Sequence, residues 1–163
     1  MVRPPYSALV AFLATLVLAA PAHAVPDVPI EVYLEHVEPF SLEWPADGTL
    51  TDGFGPRWGR MHLGLDVGIL QSLELRAATS GTVTAAGRIT GYEGYGNVVA
   101  IDAGSGRSLL YAHLSQPSVV PGQWLEAGAR VGRAGCTGSC TGTHLHFELR
   151  ENGVPVDPAP YLG

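Results

Sequence analysis

Lysine is absent from this chain of 163 residues, and its nine basic residues, all arginine, face fifteen acidic ones for a formal charge of −6. The missing lysine is read as codon bias and carries no mechanism. The acidic balance excludes a nucleic-acid partner held through phosphate contacts and strong electrostatic adhesion to an anionic wall or membrane surface. No internal repeat, coiled-coil heptad or low-complexity block is present. After the N-terminal segment, no window of ten or more residues carries a helical stripe, which excludes a helical bundle. No apolar run reaches the roughly 20 residues that a membrane-spanning helix needs. Cysteine occurs only twice, too seldom for a disulfide-dense scaffold or an all-thiolate metal site.

The N-terminus reads as a leader. Arg3 supplies a basic start, Ala8 to Ala20 is apolar apart from Thr15, Pro21 breaks the run, and Ala22-His23-Ala24 offers a small-x-small cleavage pattern. Residues 1–24 are therefore expected to be a signal peptide, with no transmembrane anchor after its removal and a periplasmic or extracellular, wall-associated destination. No cysteine adjoins the cleavage point, which speaks against a lipid anchor. In an exported protein Cys136 and Cys140 are expected to pair. Two thiolate zinc ligands, the rival reading, would require a further Cys/His pair at structural spacing. The bridge closes a very short loop and so removes little unfolded-state entropy. Its expected role is to fix the turn leading into His144.

Residues 25–46, rich in proline and glutamate, read as an extended lead-in, and residues 47–163 as one domain. Glycine-punctuated β runs follow at 81–90, 97–102, 108–114, 131–134 and 144–150. The expected fold is all-β, a mostly antiparallel sheet domain with glycine-rich loops and a metal site in a groove on the sheet. Strand alternation places His144, His146 and Glu148 on one face and Leu145, Phe147 and Leu149 on the other. The same period groups His62, Gly64 and Asp66 against Met61, Leu63, Leu65 and Val67, and Tyr111 and His113 against Ala112 and Leu114. Gly64 would leave room for a metal. A helix carrying His62 and Asp66 at i,i+4 is the competing reading, but Gly64 and Gly68 make it a poor helix.

Five candidate side chains result: His62, Asp66, His113, His144 and His146, using four of the six histidines. Two imidazoles and a carboxylate form a catalytic-type zinc site with one position open to water. The remaining two imidazoles would be free to move protons. Which histidines play which part does not follow from spacing.

In order along the chain stand Gly53-Phe54-Gly55-Pro56-Arg57, His62-Leu63-Gly64-Leu65-Asp66, Gly94-Tyr95-Gly96-Asn97, Tyr111-Ala112-His113-Leu114 and Gly142-Thr143-His144-Leu145-His146-Phe147-Glu148. Together they resemble the lysostaphin-type (LytM-like) peptidoglycan metalloendopeptidases, over roughly Trp44 to Leu162. The resemblance implies one zinc ion per chain held by His62, Asp66 and His146, with His113 and His144 as the catalytic pair. It implies peptidoglycan peptides as substrate, cut in their cross-links or stems. Serines usual in the family stand here as Cys136 and Cys140, which supports the local disulfide. By the same resemblance 47–163 is a metallopeptidase domain; no wall-targeting module is recognisable after it, so a targeting partner is a further expectation.

The chemistry would use zinc to polarise an amide carbonyl and acidify water, with a neutral imidazole accepting the proton. Glu148 is read either as a residue orienting His146 or as a solvent-facing glutamate; the resemblance implies that Tyr95 and Asn97 are groove residues, whereas Gly94-Tyr95-Gly96 alone would suggest a turn. Two other function classes remain: a non-catalytic activator or binding module keeping the fold, and a secreted metallopeptidase acting on non-wall peptides.

Overall fold

Antiparallel pairing of the valine-, leucine- and alanine-rich runs builds almost everything in the computed structural model, which describes residues 39–163. The expected signal peptide and most of the 25–46 lead-in lie outside the described residues. The described end of that lead-in is packed onto the domain: Leu42 is buried and bridges Leu162, and Ala46 bridges Leu75.

The described residues form thirteen strands: β1 (Thr49–Asp52), β2 (Gly55–Arg57), β3 (Arg60–His62), β4 (Leu65–Gly68), β5 (Glu74–Arg76), β6 (Gly81–Arg88), β7 (Asn97–Gly104), β8 (Arg107–Leu114), β9 (Gln116–Pro117), β10 (Trp124–Leu125), β11 (Arg130–Arg133), β12 (Leu145–Glu151) and β13 (Val154–Val156). The main sheet runs β1-β4-β12-β8-β7-β6-β10, with β13 added to β12. A smaller sheet, β5-β11-β9, and a β2–β3 hairpin complete the set. All these strand pairs are antiparallel, as expected. The described residues contain no α-helix, only two single 3-10 turns, and no helix long and apolar enough to cross a membrane.

One face of the main sheet makes the core. Leu145, Phe147 and Leu149 of β12 pack with Leu109 and Tyr111 of β8, Val99 and Ile101 of β7, and Leu75 and Val131 of the smaller sheet. Each such side chain contributes about 1.5–3 kcal/mol on burial. A one-residue slip of β12 would send three of them to the polar face and drive His146 and Glu148 into the core. Hydrophobic burial therefore fixes which face the polar residues occupy.

Tyr111 is a correction. It does not share a face with His113; it is fully buried in the core, edge-on to Phe147, and its hydroxyl accepts the Ala78 N–H at 2.8 Å. The cause is a bulge. Between the pairs Val99↔Tyr111 and Asn97↔Leu114, β8 has one residue more than β7, and His113 absorbs it at φ +62°. Ala112 thus joins Val98 and Leu110 on the opposite face, while Leu114 returns to the core.

Candidate metal centre

Residues four apart on one continuous strand lie about 13 Å from each other. His62 and Asp66 escape that separation because the chain turns at Leu63–Gly64. His62 ends β3, opposite Gly55 of the hairpin, whereas Asp66 sits in β4, opposite His146 of β12. His62 Nε2 thereby lies 3.2 Å from Asp66 Oδ1. The break also corrects the expected core face: Leu65 and Val67 are buried, but Met61 is 47% exposed and Leu63 only half-buried. Gly64 has a different duty from the one expected. A Cβ there would collide with the Phe147 carbonyl, so its bareness lets the turn press against β12.

His146 Nδ1 completes a tight triangle, 2.9 Å from Asp66 Oδ1 and 3.0 Å from His62 Nε2. Each ring is oriented by its other nitrogen. His62 Nδ1 donates to the Gly53 carbonyl at 2.6 Å, and His146 Nε2 donates to Glu148 Oε1 at 3.0 Å. Both outer partners only accept, so each ring in its neutral form presents a lone pair on its inner nitrogen. Three electron-rich atoms this close repel one another unless a proton or a metal cation stands among them. These three residues form a group able to hold a metal ion, and the donor set suits zinc.

The surrounding charges keep Asp66 ionised but favour a proton on His146, with which a metal ion would compete. Burial by itself would raise the Asp66 carboxyl, but the hydrogen bond and charges of the neighbouring imidazoles, His146 foremost, bring it down to about 2. Burial would lower His146, yet Asp66 and Glu148 outweigh it and shift it upward. Arg57 pairs with Asp52 and reaches Asp66 Oδ2 at 3.3 Å, holding the carboxylate with Oδ1 toward the imidazoles.

Glu148 is not solvent-facing. It is fully buried, takes the Tyr95 hydroxyl proton in a 2.6 Å hydrogen bond, and receives Arg150 Nε at 2.7 Å. Burial would raise its carboxyl, but bonds from His146 and Tyr95 and the Arg150 charge hold it down, so it stays an acceptor. Burial and the Glu148 contact push Tyr95 upward, keeping it a donor. Alternation in the sequence pointed at Glu148; the Gly53 carbonyl and Arg57 as orienting groups carried no such signal.

The other two imidazoles border this triangle without joining it. His113 Nδ1 donates to the Thr137 carbonyl at 2.8 Å, and His144 Nδ1 to the Gly142 carbonyl at 2.8 Å. In the neutral form of each ring Nε2 then carries the lone pair; Nε2 of His144 lies 3.8 Å from Asp66 Oδ1. The two rings are 4.8 Å apart. Burial lowers His113 from the usual histidine value, which favours the neutral base. All five candidate residues are thus brought together in one groove. A cavity of about 510 Å³ bounded by Trp58, Ile69 and the 139–144 segment lies on one side of the cluster, and one of about 230 Å³ beside Met61 and Tyr95 on the other.

An all-β domain that aims two imidazoles and a carboxylate at one point, with two free imidazoles alongside, has the donor arrangement of a metal-dependent hydrolase. The chain belongs to peptidase family M23, whose family model matches residues 60–158. It is 43% identical over 99 residues to the DD-carboxypeptidase/endopeptidase Mpg of Neisseria meningitidis serogroup B, covering 61% of this chain and 22% of that protein. It is 34% identical over 119 residues to the murein hydrolase activator NlpD of Salmonella typhimurium, covering 73% of this chain and 30% of that protein. The catalytic domain of lysostaphin from Staphylococcus simulans superposes with a TM-score of 0.63 at 31% identity, over 70% of this chain and 91% of that one. The chain therefore spans less than half the length of these two curated relatives.

Proposed function

We propose that this protein is a zinc-dependent endopeptidase of the bacterial cell envelope that hydrolyses cross-links or stem peptides of peptidoglycan. In this reading His62, Asp66 and His146 hold the metal, and His113 and His144 move protons. The observation that carries it is the convergence of His62, Asp66 and His146 on one point with His113 and His144 alongside: each imidazole spends one nitrogen on an acceptor, so that in its neutral form the other nitrogen is a free ligand or base. A zinc ion bound there would supply the Lewis acidity that activates water and a peptide carbonyl.

The side chains do the rest. Asp66 reduces the site's net charge without quenching it. His113, neutral through burial, can accept a proton from the attacking water at Nε2. His144, its Nδ1–H fixed on Gly142, offers Nε2 on the same side, and whichever ring is protonated can donate to the oxyanion or the departing amine. The groove extends on both sides of the cluster, as cleavage within a chain requires. Export and an envelope destination fit the leader-like N-terminus and this substrate.

Glu148 orients His146, so a Glu148→Gln protein should bind zinc about 10–100-fold more weakly, read by competition with a chromophoric chelator. A second reading, a non-catalytic activator of other hydrolases, draws on the likeness to NlpD. Chelation separates the two: digestion of purified peptidoglycan should stop when metal is stripped and return with one equivalent of zinc. Undiminished digestion by the stripped protein would overturn the metal-dependent reading, and no digestion by the zinc-loaded protein would favour the activator.

A further inference from the structure

Cys136 and Cys140 are bridged, with Cα atoms 5.4 Å apart. The three residues they enclose do more than turn the chain. Thr137, within the loop, holds His113 at two points and its neighbour Leu114 at a third. Its carbonyl accepts from His113 Nδ1, its N–H points at the His113 carbonyl at 3.4 Å, and its hydroxyl donates to the Leu114 carbonyl at 2.8 Å. These bonds fall on the bulge where His113 sits at φ +62°, a left-handed conformation that persists only when its surroundings dictate it. From the other side, the Asn97 N–H donates to the Thr137 hydroxyl at 2.9 Å and the Ser139 N–H to the Gly94 carbonyl at 2.8 Å. Gly96 and Gly138 are bare where these backbones meet; a Cβ on either would collide with the other segment.

His144 depends on the same loop by a longer route. Its Nδ1 is held by the Gly142 carbonyl. Among the described residues, no backbone hydrogen bond ties residues 140–143 to the rest of the domain. The stretch is secured at Ser139, at His144, whose N–H donates to the Gly135 carbonyl at 3.2 Å, and by the bridge at Cys140. Without the bridge, Gly142 would hang on a free segment between two anchors.

We infer that the Cys136–Cys140 disulfide is a clamp that holds His113 and His144 in the tautomers and positions required for proton transfer, making both cysteines positioning residues. The inference rests on the proposed roles of those histidines. It predicts that opening the bridge detunes turnover while sparing the metal triangle, none of whose members bonds to the loop.

The test compares the zinc-loaded protein with a Cys136→Ser/Cys140→Ser double variant. A second sample, wild type reduced after folding by a water-soluble phosphine, avoids any failure of the variant to fold. There the bridge takes up two electrons and two protons and the phosphine becomes its oxide. Zinc should stay at one per chain, and kcat should fall about tenfold or more, as expected when a catalytic group loses its alignment. Nitrogen-15 spectra of the imidazoles should show His113 and His144, like His62, as Nδ1–H tautomers in the bridged protein. Opening the bridge should average the His113 and His144 signals and leave those of His62 and His146 fixed. Unchanged imidazole signals with unchanged kcat would overturn the clamp. Averaged tautomers with wild-type turnover would instead overturn the proton-transfer reading, and with it any service of the clamp to catalysis.

Discussion

Replacing His146 with alanine should empty the metal site and end turnover. The ring supplies Nδ1 at one corner of a triangle whose sides are 2.9, 3.0 and 3.2 Å, and it links that corner to buried Glu148. With it gone, only His62 and Asp66 remain to hold a dication. The loss of zinc affinity should therefore exceed the roughly 100-fold upper bound for losing an outer hydrogen-bond partner. Glu148 would retain Tyr95 and Arg150, so the carboxylate is not stranded and the domain should still fold. Metal analysis of the purified variant reads the outcome. Zinc at full stoichiometry would remove His146 from the ligand set.

Replacing His113 should produce the complementary result: metal retained, rate lost. Its Nδ1 bonds to Thr137 and its ring stands apart from the triangle. Turnover on peptidoglycan should drop by about a hundredfold or more, the scale of a lost general acid or base. His113→Ala removes the bond to Thr137 that helps hold the backbone at φ +62°, a conformation whose cost histidine already bears, so it should lower the melting temperature as well. Asparagine tolerates that conformation better, and His113→Asn separates the two effects: stability should largely return while the rate stays low. Wild-type turnover per folded molecule in either variant would sink the catalytic role of His113. Loss of metal in a His144→Ala variant would likewise move His144 into the ligand shell.

The strands legible in the sequence were those whose apolar residues alternate over several positions. The runs at 81–90, 97–102, 108–114, 131–134 and 144–150 correspond to β6, β7, β8, β11 and β12 within a few residues. The face carrying His146 and Glu148 was legible for the same reason, because Leu145, Phe147 and Leu149 leave β12 only one apolar side. What alternation could not show was where it stops. The turn at Leu63–Gly64 separates two short strands that together look like one. The extra residue at His113 flips Tyr111 from the site to the core. Both depend on pairings with distant strands, Phe147 against Gly64 and Val99 against Tyr111, and leave no local mark. The ligand set and proton-transfer pair were named through family likeness, whereas their convergence is a property of the folded chain.

Catalysis by the protein itself is tested most directly by incubating the zinc-loaded chain, with no other hydrolase present, with purified peptidoglycan and analysing the released fragments by mass spectrometry. Fragments cut at a peptide bond, each cut adding one water, and absent from the His113→Ala digest, are the expected result. A digest with no peptide-bond cuts, from protein that nonetheless accelerates a separately added wall hydrolase, would contradict it and make the chain an activator.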